Sequence, residues 1–382
     1  MKKNLFLFLS LFLFSVSFVF FDQKSNQFSY KKDPVSKIES VEKEKKYKNT
    51  KEADEFKNKV THIKTPDNLR AVYSTMWSFS SEKKRNYFLN IFEKTKLNAI
   101  VVDIKDSKGD LAFERVTDLT DIISEFHQKN IYTIARIAVF QDNRLAEINP
   151  NFSLKSKTSK NVWRDRKGYA WTDPASQGGW DYNISIAKKA IDAGFDEINY
   201  DYIRFPTDGN LEDIQYPFWD GVEEKSEIIK NFSEYSKKKL KEYNPDIKLS
   251  VDIFGYTFLR GDGLGIGQKL EYLLDSFDYI YPMVYPSHYG TGNFGFANPA
   301  DYPYEVVKQT LERGFESLGE KENVAKIKVR PWIQVFNLGA VYTPKMIQKQ
   351  IDAVYSVTGT STTGWLMWSP SNVYDRVLDI EM

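Results

Sequence analysis

Three aspartates sit in runs that otherwise suit buried strands: Asp103 in "NAIVVDIKD", Asp201 in "EINYDYIRFP" and Asp252 in "KLSVDIFG". Burying an unpaired carboxylate costs several kcal/mol, so each needs a partner or a use. Side chains alternate along a strand. Ile198, Tyr200 and Tyr202 share one face, which leaves Asn199 and Asp201 on the other. Ile100, Val102 and Ile104 likewise oppose Asp103 and Lys105, and Leu249, Val251 and Ile253 oppose Ser250, Asp252 and Phe254. Neighbouring carboxylates oppose one another's ionisation. One with a raised pKa beside another that stays charged is the equipment of general acid/base catalysis, and two carboxyl groups flanking a bond are what glycoside hydrolysis requires. The plain alternative is a set of structural ion pairs in which Lys105, Arg136 and Arg204 neutralise the three acids.

These acids can meet only if the elements carrying them bring the same ends together. Eight strand-like runs occur, at 70–77, 98–106, 131–140, 197–206, 248–255, 279–286, 329–336 and 364–370. Amphipathic helical patterns lie between them. Such alternation implies parallel βα units, and eight of them in residues 65–382 predict an α/β fold, a (β/α)8 TIM barrel. A doubly wound open sheet is the second choice, disfavoured because no glycine-rich phosphate turn follows the first strand. "GDGLGIGQ", 261–268, lacks the Lys-Ser/Thr of a phosphate loop and reads as a flexible loop. Few residues follow the eighth run, so its helix must be short, and a helix from the linker can cover that gap.

In a barrel the polar residues at the C-terminal ends of the strands face one mouth. The expected catalytic set is Asp201, as nucleophile or general base, Asp252, as general acid, and Asp103, as the group that tunes them or replaces the acid. The same parity turns Arg136 and Gln334 inward, with Trp332 below the latter. Loops after the third and sixth runs mix aromatic, Asn, Arg and Asp residues, a lining suited to sugar rings with apolar faces and hydroxyl rims. Trp77, Lys105, Arg136, Trp171, Arg204, Tyr285, His288, Trp332, Gln334 and Trp368 are the expected substrate contacts. Individually each tryptophan reads better as core, and it is the collective bias that favours the sugar lining.

Composition narrows the classes. A net charge of +1 argues against a dedicated nucleic-acid binder, and zero cysteines remove disulfides, thiolate nucleophiles and cysteine-ligated metals. Three histidines make a zinc site unexpected, and no metal or cofactor is expected. A metal-dependent hydrolase with aspartate ligands is one rival; a non-catalytic carbohydrate-binding barrel is another. At the N-terminus two lysines precede a 17-residue apolar run from Leu5 to Phe21, the layout of an export signal. No small-residue cleavage site follows cleanly, so residues 1–21 are expected to stay as a membrane anchor with the lysines cytoplasmic. Cleavage would make the protein secreted. Residues 22–64, with 12 Lys and 8 acidic residues, read as a charged linker, in part helical. An extracytoplasmic monomer acting on a polysaccharide or oligosaccharide is the expectation.

The motifs "NAIVVDIKDSKG", "IARIAVFQDNRLAEINP", "WRDRKGYAWTDP", "GFDEINYDYIRFPTDG", "SVDIFG", "YIYPMVYPSHYG", "VRPWIQVF" and "GWLMWSPSN" together resemble, in order, the glycoside hydrolase domain family of secreted and membrane-anchored bacterial proteins. The resemblance covers Leu69 to the C-terminus and implies a TIM barrel and glycosidase activity. More distantly, "GFDEINYDY", "YPMVYP" and "GWLMWS" are similar to chitinase-like strands. The chitinase motif, however, ends in a glutamate where this chain has Ile203, so substrate-assisted hydrolysis is not implied. Asp201 also resembles the fourth-strand nucleophile of alpha-amylase-type barrels. Those carry a glutamate acid on the fifth strand, where this chain has Asp252.

Overall fold

The computed structural model describes residues 60–359 and 362–381. The expected anchor, and the expected linker up to residue 59, lie outside them. Among the described residues no helix is long and apolar enough to cross a membrane.

Eight parallel strands close into a barrel: β1 Leu69–Ser74, β2 Ala99–Lys105, β3 Tyr132–Ala138, β4 Glu197–Asp201, β5 Lys248–Phe254, β6 Tyr279–Met283, β7 Trp332–Gln334 and β8 Gly364–Trp368. Each pairs with the next, and β8 pairs with β1. The crossovers carry helices α1 Glu82–Lys94, α2 Leu119–Gln128, α3 Gln177–Ala193, α4 Lys225–Tyr243, α5 Leu270–Ser276, α6 Pro303–Glu316 and α7 Pro344–Thr358. Among the described residues only a 3-10 turn, Asp375–Asp379, follows β8. The stretch 261–268 is no open loop: Asp262–Gly263 pairs with Gln268–Lys269 as a small antiparallel hairpin.

The alternation of side chains divides the apolar residues into two layers. Ile100, Val102, Ile198, Tyr200, Leu249 and Val251 face outward onto helix residues such as Phe88, Phe126, Ile184 and Phe232. Leu69, Ala71, Val101, Ile134, Tyr281 and Leu366 fill the lumen, so the barrel is a packed plug. Its lower end is closed by a buried polar group. Glu197 accepts from Tyr132 Oη at 3.1 Å and from Tyr281, and Arg330 Nη1 stands 3.6 Å away. Residues 60–64, expected to belong to the linker, close against this end: Ile63 N–H donates to the buried Asp196 at 2.8 Å.

Closure of the barrel depends on Gly364, where β8 begins beside β1. Its φ of 122° is foreign to L-residues, and a Cβ there would sit 1.8 Å from Leu69 O. Gly364→Ala is expected to destabilise by on the order of 3 kcal/mol through strain and overlap together, read as a lower denaturant midpoint with an unchanged slope.

Candidate active site

The register of the barrel builds the site. Asp103 pairs with Arg136, Arg136 with Asn199, and Asn199 with Ser250, so one inward layer runs across β2, β3, β4 and β5. One pleat nearer the C-terminal ends come Asp201 and Asp252. Arg136 is the hub. Its Nη1 donates to Asp103 Oδ1 at 2.5 Å, its Nη2 to Asp201 Oδ2, and its Nε to Asp252 Oδ2 at 3.1 Å. The second oxygens are also engaged. Tyr73 Oη donates to Asp103 at 2.5 Å, Tyr202 N–H to Asp201 at 2.5 Å, and Trp332 Nε1 and Asn199 Nδ2 to Asp252 at 2.8 and 3.2 Å. Above the guanidinium lie Trp368, centred 5.2 Å away, and Tyr73, stacked on Trp368 with centroids 3.8 Å apart.

All four charged groups are buried. With every carboxyl ionised, one cation faces three anions. Burial, and then the charge of Asp201, push the Asp252 carboxyl up to about 7 against the pull of Arg136, Trp332 and Asn199. Burial also raises Asp103, countered by Arg136 and Tyr73. Desolvation alone would lower the pKa of Arg136, but the three carboxylates more than offset it and hold it well above the usual arginine value. Asn199 Oδ1 is buried without a partner beside Asp252, an acceptor position that a hydroxyl or a water can fill.

The structure brings Asp103, Asp201, Asp252, Arg136, Trp332, Tyr285 and Trp368 together, and places other expected contacts elsewhere. Lys105 does not point into the lumen. A bulge between Asp103 and Lys105 puts Lys105 level with the outward Ile137, where its Nζ meets the fully buried Asp142 at 2.5 Å. Trp332 is inside but wholly covered, its edge used by Asp252. Gln334 is wholly buried too, accepting from Ser287 N–H and donating to Phe336 O and Leu338 O, so it braces two loops. Trp171 is buried with its Nε1 on Asp165 and forms a floor beneath Arg204. Tyr285 is buried, edge-on to the exposed rim residue His288 and to Phe336. Trp77 is 53% exposed and lies under Arg115. Arg204 makes no ion pair with any of the three aspartates, contrary to the alternative that paired each acid with its own base.

Two contributors escaped the sequence reading. Tyr73 shares the inward parity of Ala71, but a tyrosine in an apolar strand carries no signal of its own. Tyr202 was expected on the outer face beside Tyr200. Instead it follows the end of β4 with φ 56°, a left-handed conformation unfavourable for a bulky residue, which aims its N–H back at Asp201.

Lys105 and Asp142 form a buried pair outside the site, and Asp142 also accepts from Leu145 N–H at the start of the helix Asn143–Ile148. Lys105→Met strands the carboxylate. It is expected to cost about 3–5 kcal/mol in chemical unfolding while leaving KM for any substrate unchanged.

A closed eight-stranded parallel barrel with its acidic cluster at the C-terminal ends defines a TIM-barrel protein whose polar centre lies where enzymes of this fold keep theirs. Residues 71–374 match the family described as "Putative glycosyl hydrolase domain". The chain belongs to that family.

Two solved enzymes agree on the fold. An alpha-galactosidase from Thermus thermophilus in complex with stachyose is 12% identical with a TM-score of 0.51, covering 83% of this chain and 64% of that one. The alpha-L-fucosidase isoenzyme 2 of Paenibacillus thiaminolyticus is 14% identical with a TM-score of 0.51, covering 81% and 47%. A hypothetical protein from Ruminiclostridium thermocellum is 34% identical over 47% of this chain and 96% of that one, with a TM-score of 0.42. The chain spans less than two thirds of the length of the two enzymes. No curated protein matches.

Proposed function

We propose that the protein hydrolyses O-glycosidic bonds of a polysaccharide outside the cytoplasm, with Asp201 as nucleophile or general base and Asp252 as general acid. The observation that carries this reading is the pairing of Asp201 and Asp252 on adjacent strands at the mouth, one of them an acid lifted to about 7. A proton held by a carboxyl near neutrality can be given to a leaving oxygen. Both groups bond to one guanidinium, which supports a separation nearer the ~5 Å of retaining enzymes than the wider gap of inverting ones. Asp103 acts through Arg136, sharing the cation that lowers Asp252. The apolar run 5–21 supports export, with anchoring or cleavage as its two outcomes.

One observation favours a second reading. All three carboxylates are hydrogen-bonded to Arg136, as a structural network would have them, and a carbohydrate-binding barrel without catalysis would use the same mouth. Screening the full chain against cell-wall and storage polysaccharides separates the two. Release of reducing ends by the native chain and not by Asp201→Asn supports hydrolysis; saturable binding without release supports the lectin-like reading.

A further inference from the structure

Arg204 is a buried cation with no counter-ion in contact. It is 8% exposed and lies three residues beyond Asp201 at the mouth. Its guanidinium is boxed by aromatic faces: Phe254 at 4.7 Å, Trp171 at 4.8 Å and Tyr202 at 5.5 Å. Nη1 donates to Phe205 O at 3.1 Å and to Thr207 Oγ1 at 3.3 Å. Nε and Nη2 have no protein partner and are not sealed from solvent. No carboxylate oxygen among the described residues comes within 4.0 Å of it. The acids nearby are committed elsewhere: Asp201, whose charge bears on Arg204 most, accepts from Arg136 and Tyr202 N–H. Asp165 accepts from Gln141, Trp171 and the N–H groups of Lys167 and Tyr169, and Asp208 accepts from Arg166 N–H. Cation–π contacts offset part of the desolvation of a guanidinium, but they leave its hydrogen-bonding edge unused.

An Nε–Nη2 edge is the geometry that grips a carboxylate or phosphate with two parallel bonds. The surroundings extend the same sign of charge. The hairpin that supplies Trp171 carries six basic residues and one acidic one over 155–167, and Arg164, Arg166 and Lys167 are exposed at its turn.

We infer that Arg204 is a specificity residue for an anionic substituent, so that the glycan taken by this site is acidic: its sugar rings carry a carboxylate or a phosphate. This rests on the mouth being a glycan site, as proposed above, but not on hydrolysis. Both anions share the chemistry of paired oxygens, and the arms of the test tell them apart.

Binding of the full chain to trigalacturonate, to neutral galactotriose and to glycerol 3-phosphate is measured by calorimetry, for the native chain, Arg204→Met and Asp201→Asn. Native protein is expected to bind an anionic probe about tenfold or more tighter than the neutral trisaccharide, the worth of one charge-assisted contact. Added salt should weaken that preference. Preference for trigalacturonate assigns the carboxylate; binding of glycerol 3-phosphate alone assigns the phosphate. Arg204→Met keeps the bulk between the rings, and should erase the preference without weakening galactotriose binding. Equal native affinities, no binding of either anion, or a preference that survives Arg204→Met overturns the inference. The native comparison decides even if the variant does not fold. Asp201→Asn should keep the preference, and a native chain that binds the acidic glycan without hydrolysing any of it sinks the catalytic reading alone.

Discussion

Asp201→Asn is expected to lower turnover roughly a hundredfold to ten-thousandfold on any substrate the protein hydrolyses, while changing the unfolding free energy by only about 1 kcal/mol. The two parts have one cause. Asp201 lies in a cluster where three carboxyl groups share Arg136, and exchanging one for a neutral amide of the same shape relieves repulsion while an oxygen remains to accept from Tyr202 N–H or Arg136. A third readout distinguishes loss of a reacting group from general damage. The charge of Asp201 is the second-largest cause, after burial, of the rise of Asp252 to about 7, so in the variant the Asp252 pKa must fall. A general acid works protonated. Native turnover therefore declines as pH rises through about 7, and the residual activity of Asp201→Asn declines at lower pH. A variant that turns over at the native rate removes Asp201 from the mechanism.

The same raised pKa bears on stability. The folded Asp252 carboxyl binds its proton more tightly than the unfolded one, whose pKa is ~3.9. Its stabilising contribution is complete below that value and is lost as pH rises through about 7. The span between the two pKa values is worth on the order of 4 kcal/mol. Denaturant titrations should find Asp252→Asn less sensitive to pH between 5 and 8 than the native chain.

The fold was legible because it rests on repetition. All eight strands lie where alternating or apolar runs placed them, although the reading ran past their C-terminal ends, as at 197–206 against Glu197–Asp201. Residues beyond those ends, such as Ile203 and Phe205, are as apolar as strand residues and pack in the same core, although they lie outside the ladder. The site was legible as far as parity holds. Asp103, Arg136, Asp201 and Asp252 follow it; Lys105 does not, because a one-residue bulge reverses a side chain without marking the sequence. Ion pairing was hidden for a related reason. Three bases and three acids suggest three pairs, but Lys105 is taken by Asp142 and Arg204 is held among aromatic rings, so one arginine serves three aspartates.

That concentration of charge makes Arg136→Met the most damaging change expected for the fold of the site. Removing one partner of a buried pair typically costs about 3–5 kcal/mol because the other charge stays buried, and here three carboxylates lose their shared cation. Methionine restores much of the bulk beneath Trp368 and Tyr73 but none of the donors. The response to pH tells lost charge from lost packing. Arg136 lowers the pKa of both Asp103 and Asp252, so without it both rise further, and the folded protein takes up protons instead. Groups raised in the folded state stabilise at low pH and lose that contribution as pH increases through their folded values. The deficit of Arg136→Met relative to the native chain must therefore be largest above neutrality and shrink on acidification towards pH 5, as followed by denaturant unfolding. A deficit independent of pH would mean that packing, and not the shared cation, is what Arg136 contributes. Combining it with Asp201→Asn tests the same point. With one fewer charge to strand, the double variant should lose less than the sum of the two single changes, because all these groups are coupled through one guanidinium.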